Sequence, residues 1–167
     1  MKKILLAIML MAPVSMMAQM KFAHFDLSQI VPNMKEYTTA QSELETMQKQ
    51  YEADLKLMQD ELQKKGEELQ KEGSKLVENI RARREQELND LYQRYQQSYQ
   101  DSQQALQKAS TEKMGAITEK VMAAVKKLGE AGGYIYVVDT STGTIPFVNT
   151  TLSTDITAQI KKEVGIQ

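Results

Sequence analysis

The sequence predicts a mainly α protein with a small β body (α+β). One long antiparallel coiled-coil hairpin is inserted between strand 1 and strands 2 and 3 of a small sheet. Three observations predict it. From about residue 32 to 129 the chain is rich in Gln, Glu, Lys and Leu, and its apolar residues recur at alternating steps of three and four. That pattern breaks once, at the polar run Gln70-Lys71-Glu72-Gly73-Ser74. Strand-like stretches occur only at the two ends.

The N-terminus opens with Lys2 and Lys3, runs through an apolar stretch from Ile4 to Met17 and reaches the small Ala18. That is the layout of a secretory signal peptide at 1–18, with export as the expected fate. The apolar run is shorter than the ~20 residues of a spanning helix. The chain has no cysteine, so packing and assembly must supply its stability. The 21 Lys+Arg and 22 Asp+Glu give a net charge of −1, and loss of Lys2 and Lys3 leaves 19 against 22. A balance that is not basic speaks against nucleic acid as a partner.

Lys21 to Leu27 carries Phe22 and Phe25 and reads as the first strand. The first limb follows. Tyr37, Leu44, Tyr51, Leu55, Met58, Leu62 and Leu69 fall on one heptad seam, with Met34, Gln41, Gln48 and Lys65 filling the intervening positions. In the second limb Leu88, Tyr92, Tyr95, Tyr99 and Leu106 take the same role, with Ser102 and Ala109. A turn near 70–76, with Gly73 as its best candidate, folds one limb on the other, and Gly66 is expected to interrupt the first helix. Each limb is too polar to persist alone, so the two must pair. Gln41, Gln48, Lys65 and Ser102 are weak seam positions, which predicts a soft, bendable arm.

Ile117, Val121, Ala124, Val125 and Leu128 form a richer apolar face, suited to a buried root. Gly129, Gly132 and Gly133 end the helix and offer positive-φ positions. Tyr134 to Val138 reads as strand 2 and Ile145 to Val148 as strand 3, with Pro146 marking an edge or a strand start. Ser153 or Asp155 caps a last helix that reaches Val164. The domain reading is therefore an arm at 32–116 and a body made of 19–31 and 117–167. Three strands hold too little apolar material for an independent core, so oligomerisation is expected. The residues assigned to the shared body are Phe22, Phe25, Val121, Val125, Leu128, Ile135 and Val137.

Enzyme chemistry finds no support. His24 is the only histidine and falls in the first strand, which speaks against a metal site of several histidines and favours packing over chemistry. Gly129 to Gly133 precedes a strand and lacks the P-loop lysine. No catalytic, cofactor-binding or metal-ligating residue is assigned. Met47, beside the seam, offers adaptable apolar contact to other polypeptides. Arg81, Arg83 and Arg84, just past the turn, offer contact to acidic segments or lipid phosphate, although Glu78, Glu85 and Glu87 stand ready to balance them.

The two ends carry a family signature. KFAHFDLSQIV (21–31), the Gln/Lys/Glu-rich middle, and GGYIYVVDTSTGTIPFVNTTLSTDIT (132–157) together resemble the Skp/OmpH-like periplasmic chaperones. The most specific part is the strand ending Val137-Val138-Asp139, the turn, the stretch Ile145 to Asn149, and Thr154-Asp155-Ile156-Thr157 at the last helix. The resemblance implies a homotrimer with a β body from which three helical arms hang around a cavity. It also implies ATP-independent capture of unfolded outer-membrane β-barrel proteins. Well-known members are strongly basic and this chain is slightly acidic, which shifts the burden from long-range charge attraction, to clients or to lipopolysaccharide at a membrane surface, onto short-range apolar contact. The alternative is a structural or adaptor coiled coil of the cell envelope, which calls for one defined partner and a stiffer seam.

Overall fold

The computed structural model describes residues 20–166. The signal peptide expected at 1–18 lies outside the described residues. Strand β1 (Lys21–Phe25) leads through two 3-10 turns, Leu27–Gln29 and Val31–Asn33, into helix α1 (Lys35–Glu72). A third 3-10 turn (Gly73–Lys75) reverses the chain into helix α2 (Glu78–Gly132). Strand β2 (Tyr134–Asp139), strand β3 (Ser153–Asp155) and helix α3 (Thr157–Glu163) complete the fold.

The 38 residues of α1 span about 57 Å and the 55 of α2 about 82 Å. Three ion pairs cross between them: Glu36 with Lys120, Glu43 with Lys113, and Glu72 with Arg84. The two residue numbers add to the same value in each pair, as a single antiparallel register requires. Most of the extra length of α2 lies at its C-terminal end, where its last dozen residues rise about 18 Å. Strand β1, with five residues, is about 17 Å long. The overhang thus carries the chain back along the length of β1, so that β2 starts beside Lys21 and runs parallel to β1.

The glycines divide by role. Only Gly133 needs a left-handed backbone at the end of α2: its φ is 64° and its N–H reaches the carbonyls of Gly129 and Glu130. Gly129 and Gly132 lie inside the helix, against expectation. They are small because β2 presses on the last turns of α2. A β-carbon on Gly132 would sit 2.2 Å from the Tyr134 ring, and one on Gly129 would sit 3.3 Å from Val137 Cγ2. Helix α1 runs through Gly66 without the expected interruption. Gly73 has right-handed backbone angles and packs beside Leu69, so the reversal rests on the extended Leu76 and Val77 that follow it.

The sheet has the order β2-β1-β3, and both outer strands are parallel to β1. Strand 3 is not where the apolar run Ile145–Val148 placed it. Pro146 has no N–H to give a ladder, and the free edge of β1 is taken instead by the polar segment Ser153-Thr154-Asp155, paired with Phe22, Ala23 and His24. Side chains fasten both pairings of β1. His24 Nδ1 and Ser153 Oγ are 2.9 Å apart. The N–H of Asp26 donates to Thr157 Oγ1 at 3.1 Å, and the N–H of Leu27 donates to Asp139 Oδ1 at 3.2 Å. Asp155 Oδ1 accepts from the N–H of Thr157 at 2.8 Å and so satisfies the start of α3, while Ser153 belongs to the strand.

One face of the sheet, the limb roots and α3 close around a small core. Ala23, Phe25, Ile30, Met34, Ile117, Val121, Ile156 and Ile160 are buried there. Contrary to expectation, each chain therefore closes a core of its own. Phe25 and Val121, assigned to a shared body, are 2% and 0% exposed within one protomer. The inward alternation of Ala23 and Phe25 on β1 meets the Ile117-Val121-Ala124 face of α2, and together they leave no apolar surface of these residues to share.

Two carboxylates hold this body through their charge. The hydrogen bond from Thr157 keeps Asp155 below its ordinary value of 3.8. Bonds from Ser28 and Gln29 do the same for Asp26. A depressed folded value means stability that is complete above the ordinary carboxylate range and is lost as pH falls through the folded value. The urea midpoint of the body is predicted to be flat between about pH 7 and pH 5 and to drop below about pH 4. Asp155→Asn should lower the midpoint at neutral pH and shrink the acid drop, as far-ultraviolet circular dichroism will show.

Candidate functional site

The candidate site has two parts, the surface of the arm and the outer face of the sheet. Along α1, Tyr37, Leu44, Tyr51, Leu55, Met58, Leu62 and Leu69 are half-buried against α2. Ala40 is buried and Met47 is half-buried among them, whereas Gln41 and Gln48 are exposed. The seam thus steps through Ala40 and Met47 where Gln41 and Gln48 were expected. Met47, expected beside the seam as a contact for other polypeptides, spends much of its surface on the partner limb.

Along α2 the seam differs by one position. Leu88, Tyr95 and Leu106 are half-buried as expected for seam residues, but Leu91 is the residue that closes the interface, 4% exposed. Tyr92 and Tyr99 are each 50% exposed. Two heptad tracks overlap here, and the one adopted puts an aliphatic side chain inside and leaves the phenol groups at the wet rim. Further along, Ser98, Ser102 and Ala105 face Tyr51, Leu55 and Met58 across a groove of about 530 Å³. The Ser102 hydroxyl donates to the Ser98 carbonyl at 2.6 Å, so this small, polar stretch is satisfied without filling the seam.

The arginines near the arm tip are all engaged. Arg81 meets Glu78 and Glu85 at 3.4 and 3.3 Å, Arg83 meets Glu87 at 3.0 Å, and Arg84 meets Glu72 across the limbs at 3.9 Å. Such exposed pairs are worth at most about 1 kcal/mol and exchange readily. Glu36, at the other end of the arm, is held below its ordinary value by the Lys120 ammonium that donates to it.

The outer face of the sheet is apolar and open. Phe22 stacks on Tyr136 with ring centroids 6.3 Å apart and planes 8° from parallel. With Val138, Ile145, Val148 and Leu152 they line a cavity of about 540 Å³. Tyr136, Phe147 and Leu152 are 65%, 78% and 74% exposed, and Ile135 is also exposed on the edge strand β2. Of the residues assigned to a shared body, Phe22 is on this open surface and Ile135 is exposed on β2 without lining the cavity, while Val125, Leu128 and Val137 pack partly against the protomer's own core. Tyr136, Phe147 and Leu152 were not assigned. The stretch 145–152 is apolar without a strand or helix period, so its pattern alone gives no face.

Among the described residues no group of His, Cys, Asp and Glu could hold a metal ion, and no helix is long and apolar enough to cross a membrane. The geometry is that of a small parallel-sheet body carrying one long helical arm. Residues 21–164 match the family described as outer membrane protein (OmpH-like). The chain belongs to the OmpH-like family. Its fold is similar to the crystal structure of a candidate outer membrane chaperone (OmpH-like) from Caulobacter crescentus CB15, with a TM-score of 0.73 and 14% identity over 88% of this chain and 85% of that one. No curated protein matches the chain at a significant level.

The two tracks on α2 make a direct test. Leu91→Ala is predicted to destabilise the arm by about 3 kcal/mol, within the range for burying and then deleting a leucine. Tyr92→Ala should cost less than about 1 kcal/mol, as exposed positions do. Hydrogen exchange of α1 amides opposite each position reads the difference.

Proposed function

We propose that this chain is an ATP-independent holdase of the periplasm that captures unfolded outer-membrane proteins between its helical arms and keeps them from aggregating. Membership of the OmpH-like family supports the chaperone class. The observation that carries the finer reading is the arm itself, about 57 Å of paired limbs whose seam is underfilled and whose flanks expose Leu57, Tyr92 and Tyr99. Unfolded barrel strands have unpaired backbone groups and apolar side chains that would otherwise associate. Many shallow contacts along an arm hold such a chain by avidity, with no deep pocket. Release needs no nucleotide, because the client gains more by folding into the membrane.

Three arms are needed to enclose a client, and the body supplies the means. Tyr136, Phe147 and Leu152 stand exposed on one apolar face, and such patches often mark interaction sites. The edge strand β2 beside them is uncovered, and uncovered apolar edges are normally paired. In this reading the outer sheet faces of three copies meet and point the arms to one side. The signal peptide read at 1–18 supplies the periplasmic address.

The mature protein is predicted to scatter light as a particle about three times the mass of its chain. At molar excess it should suppress the turbidity that follows dilution of a urea-denatured β-barrel protein. Phe147→Glu with Leu152→Glu should return the monomer, by burying charge at the meeting face, and weaken suppression. Undiminished aggregation with an intact wild-type trimer would sink the holdase and favour an adaptor coiled coil.

A further inference from the structure

The two flanks of the arm are chemically unlike. On one flank stand the three cross-limb ion pairs. Glu36, Glu43 and Glu72 are separated by seven and twenty-nine residues, two and eight helical turns, so they share a side of α1. On the other flank lie two grooves. In the one nearer the tip, Gln59, Leu62 and Gln63 of α1 face Glu85, Leu88 and Asn89 of α2. In the one nearer the root, Gln41, Leu44 and Glu45 face Gln103, Leu106 and Gln107.

Every one of the first six stands eighteen residues from its counterpart in the second six, and eighteen residues make five turns. The arm therefore presents a similar notch twice on one side, walled further by Tyr92 and Tyr95 near the tip and by Gln48 and Ser110 near the root. Each notch is a leucine from either limb, Leu62 with Leu88 and Leu44 with Leu106, framed by side-chain amides. Glu45, one of the two acids in the lining, is neutralised by Lys49 at 2.5 Å. The opposite flank also carries two grooves but does not repeat its chemistry: eighteen residues from Asp54 and Ser102, which line one groove, stand Glu36 and Lys120, whose ion pair frames the other.

The notches lie about 27 Å apart at 1.5 Å per residue of helix. An extended strand covers that distance in about eight residues, and because eight is even the side chains at its two ends point the same way. A membrane-spanning β-strand has about 9–11 residues with apolar side chains on alternate positions. We propose that the two notches form one docking track for a single extended β-strand segment of an unfolded outer-membrane barrel. Apolar side chains at positions i and i+8 of the segment seat on the two leucine pairs. Its backbone N–H and C=O groups meet the Gln and Asn amides, which both donate and accept and so suit either strand direction. The uncharged lipid-facing side chains of a barrel strand fit a lining that holds no cation. This deepens the holdase reading and rests on it.

The test uses the full mature protein carrying a photoreactive side chain in place of Gln59 or Gln103 on the notched flank, or of Asp54 or Asp101 on the other. The probe is a urea-denatured β-barrel outer-membrane protein, diluted and illuminated. Capture from Gln59 and Gln103 should exceed capture from Asp54 and Asp101 about tenfold, the ratio that seating one leucine side chain supports. A second probe pair is two eleven-residue Thr/Ser peptides with leucines eight or seven positions apart, captured from Gln59. The eight-spaced peptide should be captured about tenfold more, since seven turns one leucine to the wrong face. Equal capture from both flanks, or of both peptides, overturns the track while leaving the holdase reading intact if aggregation is still suppressed. No capture anywhere together with unsuppressed aggregation removes both.

Discussion

Neither limb of this hairpin can exist without the other. Each carries a narrow apolar stripe on an otherwise charged and amide-rich helix, and only the partner limb covers that stripe. The pairing sets the register, and the register decides which residues reach the surface. It puts Leu91 inside and the phenol groups of Tyr92 and Tyr99 at the rim. It puts three ion pairs on one flank and amide-framed leucines on the other. The seam is held by half-buried rather than fully buried side chains for most of its length.

The body depends on the same pairing at its root. Helix α2 outruns α1 by the length of one strand, and this overhang is what makes β2 parallel to β1. Gly129 and Gly132 let β2 lie against the overhang, and Gly133 turns the chain into it. The inner sheet face is then closed by Val121, Ile117 and Ile160, and the outer face is left apolar and open. Arm and body are thereby given different tasks. The arm has grooves of mixed polarity along its length, and the body has one contiguous apolar face.

Much of this was legible in the sequence because helical periodicity and punctuation are local. The alternating steps of three and four announced both limbs, the polar run ending in Gly73-Ser74 announced the reversal, and Tyr134 to Val138 announced a strand. What was not legible is what depends on distant partners. Leu88-Leu91-Tyr95 and Leu88-Tyr92-Tyr95 both satisfy heptad spacing, and only the facing limb chooses between them. Strand 3 was misplaced because its three residues are polar and are recruited by the edge of β1, more than 120 residues away in the chain. Phe25 and Val121 look like shared-body residues in a list of apolar positions. Their closure within one protomer follows from the fit between β1 and the overhang of α2. The repetition of the notches could have been read from the Gln-Leu spacing, but only a known register shows that both limbs repeat together.

The most direct test of the account is the distance between the limbs. Spin labels at Gln63 and Asn89, and separately at Glu45 and Gln107, sit across the two grooves of one flank. Paired helices lie about 8–10 Å apart between axes. Both label pairs are predicted to give short, narrow distance distributions of similar mean in the mature protein. A broad distribution, or a long distance for either pair, would mean that the limbs are not zipped in this register and that the arm as described does not exist.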